Sequence, residues 1–183
     1  MKGIPENAKK VFDGIIFDAY HFELERYDGS KAVFEKLKRA TTLITLPVVG
    51  DKIVMVRDSQ PHRDTMWGLP GGRQDGGESE LEGAQLEFNE ETGYSSKNWS
   101  EIRRYTPYSK IDWEIVFFLA RDCTKVAEPD VDPGEKIEVY EKTFDEFIEI
   151  VCGPEFHERD FALEVMRLRL EGRLDELKKE IFG

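Results

Sequence analysis

The chain is short of several things. Its 183 residues hold no apolar run approaching the roughly 18 residues that suggest a membrane span, so a membrane partner is not expected. The opening segment "MKGIPENAKK" lacks the apolar core of a secretory signal, which predicts a cytoplasmic location. Cysteine is rare: Cys123 and Cys152 show no metal-ligand spacing, and both are expected to be buried free thiols. Positive charge is scarce as well, with 26 Lys and Arg against 38 Asp and Glu, a formal net charge of -12. Nonspecific nucleic-acid binding depends on basic patches that displace counterions, so nucleic acid is not an expected partner either. There is no internal repeat and no low-complexity linker. With 39% hydrophobic and 35% charged residues, the chain is expected to form one domain over 1–183.

What is present reads first as strands. "VFDGIIFDAYHFELERY" and "KAVFEKLKRA" flank the turn dipeptide Asp28-Gly29. "TTLITLPVV" is a nearly continuous apolar run, as in a strand buried on both faces. "KIVMVRDS" follows as a strand, whereas "SQPHRDTMWGLPGG", with its prolines and paired glycines, reads as a loop. "EIRRYTPY", "WEIVFFLARD" and "KIEVYEK" are further strands. "TFDEFIEIV" is helical with Thr143 as its cap. The last segment reads as an amphipathic helix carrying Phe161, Val165, Leu168 and Leu177, broken or bent at Gly172. This order predicts an α+β fold with helices packed on a mixed sheet. The expected divisions are a strand pair over about 1–38, a core over 39–150 and a C-terminal helix over 151–183.

Between "GLP" and "EIRRY" lies "GGRQDGGESELEGAQLEFNEETGY", Gly71 to Tyr94. Ser79 caps a helix there and Gly93 ends it. Glu87, Glu90 and Glu91 fall at i, i+3 and i+4, which puts their side chains on one narrow face. Leu81, Ala84 and Phe88 form a neighbouring face suited to packing on the sheet. Three carboxylates on one face repel one another, and oxygen-rich sites are what Mg²⁺ or Mn²⁺ prefer. A bound cation also reconciles an acidic protein with an anionic substrate, because it inverts the local field. The plain alternative is a solvated acidic face.

Gly72, five residues, Glu78, seven residues, then Leu86-Glu87-Phe88-Asn89-Glu90-Glu91-Thr92-Gly93-Tyr94 resembles the Nudix box, G-x5-E-x7-R-E-U-x-E-E-x-G-U, with U a bulky apolar residue. Every glycine and glutamate is in register over 72–94. The resemblance implies a Nudix fold, an α/β/α sandwich, and hydrolysis of a nucleoside diphosphate linked to a further group X. It implies Glu87 and Glu91 as principal ligands of Mg²⁺ or Mn²⁺, Glu90 and the Gly71 carbonyl as further ones, and Glu78 as the residue that orients the loop. One position departs, since Leu86 stands where the family has arginine. An arginine there pairs with Glu90 one turn on, so its loss predicts weaker metal binding.

Looser similarity over residues 11 to 150 points to the ADP-ribose pyrophosphatase branch, in which N-terminal strands often form a homodimer that completes the site. That branch implies AMP and a sugar phosphate as products. "MWGLPGG" reads equally well as the entry to a MutT-like nucleoside triphosphatase, and Leu86 leaves open a domain that binds nucleotide without cleaving it. For the general base, the loop "EPDVDPGE" offers Glu135, with Asp132 as substitute and Asp130 beside them. Arg57 and Arg73 are the expected phosphate contacts, His62 is a further ligand candidate, and Trp113 is placed to stack on a base.

Overall fold

Alternation along two strands, Thr42–Val49 and Ile115–Arg121, divides the molecule into layers. Leu43, Val116 and Phe118 face one way and pack with Ala84. Ile44, Leu46, Phe117 and Leu119 face the other way, into a larger core with Phe147, Phe161, Val165 and Ile181. Successive strand side chains point to opposite faces, so a sheet apolar on both faces needs a helical layer on each. Phe117, Phe147 and Phe161 are essentially inaccessible, and burying each contributes roughly 1.5–3 kcal/mol.

The computed structural model describes residues 3–61, 63–131, 134 and 136–183. In chain order the strands are β1 (Lys9–Phe12), β2 (Asp18–Glu25), β3 (Lys31–Lys38), β4 (Thr42–Val49), β5 (Lys52–Gln60), β6 (Arg63–Gly68) and β7 (Gly71–Arg73), then helix α1 (Glu80–Thr92). They continue as β8 (Tyr94–Ser95), β9 (Asn98–Tyr105), β10 (Ile111–Asp112), β11 (Ile115–Arg121), β12 (Thr124–Lys125) and β13 (Lys136–Thr143). Helices α2 (Phe144–Val151), α3 (Arg159–Leu170) and α4 (Leu174–Phe182) close the chain. The central sheet runs β13-β5-β4-β11-β9, with β6 on β5 and β7 on β4. It is mixed, because β11 lies parallel to β4 while its other neighbour, β9, is antiparallel. α1 covers one face and α2, α3 and α4 the other, the expected α/β/α sandwich.

A second sheet, β1-β2-β3-β10, holds the N-terminal strands. The hairpin at Asp28-Gly29 forms as its turn chemistry predicts, with β2 and β3 paired from Asp18↔Lys38 to Glu25↔Lys31. It is more than a strand pair, since β1 adds to one edge and β10 lies parallel to β3 at the other.

The C-terminal segment is broken at Gly172, as expected, into α3 and α4. Three expectations need correction. The stretch read as a loop forms β6 and β7: pairing with β5 and β4 overrides a local composition rich in Gly and Pro. Leu81 is exposed, and the packed face of α1 is Gly83, Ala84, Phe88 and Thr92 instead. Cys123 is buried as expected, while Cys152 is only half-buried. Among the described residues no helix is long and apolar enough to cross a membrane.

Candidate active site

Helix α1 is fixed at both ends by its own sequence. Ser79 and Glu82 close a reciprocal capping box, in which the Ser79 hydroxyl accepts from the Glu82 N–H and the Glu82 carboxylate accepts from the Ser79 N–H. Arg104 on β9 reaches Glu80 in the first turn at 2.7 Å. Gly93 ends the helix at φ 73°, its N–H donating to the Asn89 carbonyl, and a side chain there would collide with the Ala127 carbonyl. Only glycine meets both conditions without strain.

The loop before the helix folds back on it. The Gly71 N–H donates to Glu91 Oε2 at 2.8 Å. Gly72 lies so close to Glu87 that a Cβ on it would overlap the carboxylate. Glu78 Oε1 accepts from the Asp75 N–H at 3.1 Å and lies against Gly83, so this carboxylate bridges the loop to the first turn of α1. Glu90 is exposed, and its carbonyl accepts from the Asp130 N–H at 2.8 Å, tying the acidic loop after β12 to the end of the helix. Leu86 is 49% exposed. Among the described residues no three or more His, Cys, Asp or Glu side chains converge into a ready-made cation cage. Glu91 is turned to Gly71 and Glu87 to Gly72.

Beside this corner opens a cavity of about 570 Å³, lined by Gly71, Gly72, Arg73 and Glu91 at one end. Strand β10 draws Trp113 and Tyr108 in beside Arg39. The Arg39 guanidinium lies 4.5 Å from the Trp113 ring centre, and Tyr108 stacks on Trp113 with ring centres 6.3 Å apart. Thr42 Oγ1 accepts from both Trp113 Nε1 and Arg39 Nη2. Burial, and then the neighbouring Arg73, draw the Arg39 guanidinium below its ordinary value; two cations held this close suit an anion between them. Tyr105 also lines the cavity; burial and then its hydrogen bond to Glu164 push its phenol well up, so it stays protonated. Glu158, at the head of α3, also lines the cavity and lies against Gly68.

A model of the NUDIX domain matches residues 37–161 of this chain. The chain belongs to the NUDIX family. An ADP-ribose pyrophosphatase of Bacillus subtilis (strain 168) is 28% identical to this NUDIX chain over 185 residues, 97% of this chain and 100% of the relative. A crystal structure of an ADP compounds hydrolase shares the NUDIX fold with a TM-score of 0.71 at 22% identity, covering 94% of this chain and 97% of that one.

On the NUDIX scaffold the residues singled out from sequence fall into two groups. Gly71, Arg73, Glu91 and Trp113 line one cavity, with Glu87 and Glu78 on the loop and helix that form its end. Arg57 does not line it. Val56 and Asp58 do, and strand alternation turns the residue between them to the other face, where Arg57 lies over Trp67 and 3.8 Å from Glu155. His62, Asp132 and Glu135 lie outside the described residues. Arg39, Tyr108 and Glu158 went unmarked in sequence. Arg39 carries no local signal because pairing of β10 with β3, some 70 positions apart (Ile111↔Leu37), brings its aromatic neighbours to it.

Proposed function

We propose that this NUDIX enzyme is a divalent-metal-dependent pyrophosphohydrolase acting on ADP-ribose or a related nucleoside diphosphate sugar, giving AMP and a sugar phosphate. The observation that carries the reading is one cavity joining the carboxylate-bearing loop and helix to two arginines and a stacked Tyr108–Trp113 pair. The carboxylates suit a cation, the arginines a diphosphate, and the rings a base or sugar face. The volume, about 570 Å³, lies within the range of sites for compact organic ligands. The name and full-length alignment of the Bacillus relative support the same substrate class.

The donor set fits a hard cation. Carboxylates from one helix face meet a glycine at which a side chain would displace Glu87, and oxygen donors are what Mg²⁺ and Mn²⁺ select. Glu87, Glu90, Glu91 and the Gly71 carbonyl would hold it. Once bound, such an ion offsets charge on the diphosphate and acidifies a water. The chain's own residues do the rest. Arg39 and Arg73 hold the diphosphate oxygens through charge-assisted hydrogen bonds. Glu78 keeps the loop against the helix. A water oxygen bonds to one phosphorus, the bridging P–O bond breaks, and the water proton passes to a carboxylate on the 128–135 loop, with Glu135 first and Asp132 second. The Asp130 to Glu90 bond supports that placement by anchoring the loop beside the site.

We further assign the N-terminal sheet to a homodimer interface, since β1 and β3 and the loop after β1 expose Phe12, Ile15, Ile16 and Val33. The cytoplasm is the expected compartment. The test of function is product analysis with Mg²⁺ or Mn²⁺ across dinucleoside, sugar and triphosphate substrates. AMP and ribose 5-phosphate from ADP-ribose are expected; pyrophosphate released from a triphosphate as the main activity would overturn the reading.

A further inference from the structure

Glu158 occupies a position where a carboxyl group is costly. Its side chain keeps 7% of its surface exposed, it lines the cavity, and Oε2 is buried with no hydrogen-bond partner among the described residues. Oε1 lies 3.5 Å from His157 Nδ1. Although Glu158 stands at the N-cap of α3, its side chain makes no capping bond to that helix. The position is nevertheless tightly built. The Trp67 N–H donates to the Glu155 carbonyl at 2.9 Å and the His157 N–H to the Trp67 carbonyl at 2.8 Å. Phe156 between them is wholly buried. These bonds press Glu158 onto Gly68, where a Cβ would stand 3.2 Å from Oε1. A buried acceptor left unsatisfied destabilises the fold, and such groups gather where a ligand completes them.

We propose that Glu158 is a specificity-determining residue that reads a ribose: its carboxylate accepts hydrogen bonds from a vicinal diol of the nucleoside diphosphate sugar. The assignment rests on the substrate class proposed above and deepens it. An ionised carboxylate is acceptor-only, and its two oxygens match two adjacent hydroxyls. The terminal torsion of a glutamate is broad, so either oxygen turns to the ligand. Arg39 and Arg73 mark the wall for the diphosphate, and Glu158 disfavours a further phosphate at its own. A diol on either ribose supplies the same donors, so the experiment separates the two.

Binding of α,β-methylene ADP-ribose, which resists cleavage, is measured calorimetrically for wild type, Glu158→Leu and Glu158→Gln. Turnover is followed on ADP-ribose, on its analogue lacking the adenosine 2′- and 3′-hydroxyls, and on the β-methyl ester of ADP, which lacks the second sugar. In Glu158→Leu, Kd and KM for the intact ligands rise about 10- to 100-fold, kcat changes less, and Tm does not fall, because the change removes an unpartnered buried acceptor. Glu158→Gln falls between, and carries the comparison alone if the leucine variant fails to fold. On the shortened substrate that lacks the diol in question, wild type and variant converge. An unchanged Kd in a folded variant, or an equal loss on all three substrates, overturns the assignment. A wild type that neither binds the analogue nor cleaves ADP-ribose overturns the functional reading itself; a wild type that does both beside an unaffected variant overturns only the role of Glu158.

Discussion

The Gly71 N–H and the Glu91 carboxylate meet at 2.8 Å across 20 residues of chain, and this bond ties the start of β7 to the last turn of the NUDIX helix. Glu91 is therefore an acceptor for the loop, and in the function proposed above it is also a negative charge for a cation. Glu91→Gln separates them, since the amide oxygen still accepts while the charge is gone. The variant should keep the wild-type Tm within a few degrees yet lose roughly 100-fold or more in kcat. The rise in Tm on adding Mg²⁺ should shrink with it. Full turnover in Glu91→Gln would remove Glu91 from the metal site.

Gly72→Ala addresses the other carboxylate. The added methyl overlaps Glu87, whose flexible end can swing aside, so the cost falls on placement rather than folding. A displacement near 1 Å costs on the order of 10²-fold in rate. Turnover should drop by about that factor with little change in far-UV circular dichroism. Wild-type kcat in this variant would mean that Glu87 has no fixed position to lose.

How much of this was legible in the chain follows from distance in sequence. The loop, the capping box and the glutamate face lie within 72–94, so spacing alone reveals them. The other walls come from β4, β5, β6 and β11, from Arg39 just after β3, Tyr105 at the end of β9, Tyr108 and Trp113 on either side of β10, and the head of α3, brought together by pairings such as Ile111↔Leu37. No window of sequence contains Arg39 together with Trp113. Arg57 illustrates a different loss. Alternation shows that it faces away from Val56 and Asp58, but which face of β5 borders the cavity is decided by where β6 and α3 pack. The strand β6 was hidden by Pro61, Pro70 and its glycines, whose local preferences yield to the ladder with β5.

The N-terminal sheet predicts association. Ile15 is 93% exposed and Val33 69%, and the Ile15 carbonyl accepts from Arg73 at 3.4 Å, so the surface adjoins the site. Light scattering should give twice the chain mass at micromolar concentration. Ile15→Glu with Val33→Glu should return a monomer with raised KM. A wild type that is monomeric throughout would remove the dimer.

Acid should loosen the C-terminal helices first. Arg103 on β9 donates to both Glu180 oxygens, at 2.7 and 2.8 Å, and to Glu164 at 2.7 Å, pinning α4 and α3 to the sheet. The hydrogen bond from Arg103 holds the Glu180 carboxyl below its ordinary value, against the opposing effect of burial. For a depressed carboxylate the stabilisation is present above the unfolded value, about 4.3, and is lost as pH falls through the lower folded value. Glu180→Gln should lower Tm near neutrality and flatten its decline below about pH 4.3. Parallel Tm–pH curves for wild type and variant would show that the pair contributes nothing.

Leu86 is the departure with the most to reveal. It is 49% exposed on α1, so arginine fits without disturbing the core. Placed one turn before Glu90, an arginine stabilises an isolated helix by about 0.3–0.5 kcal/mol, a small gain beside its effect on the carboxylates. By holding Glu90 in place and offsetting the crowding with Glu87 and Glu91, Leu86→Arg should tighten Mn²⁺ binding several-fold, read as a lower midpoint in a metal titration of activity. Thermal stability without added metal should change little. If metal affinity stays at the wild-type level, the three carboxylates bind without help from a neighbouring cation, and the leucine is then a neutral replacement.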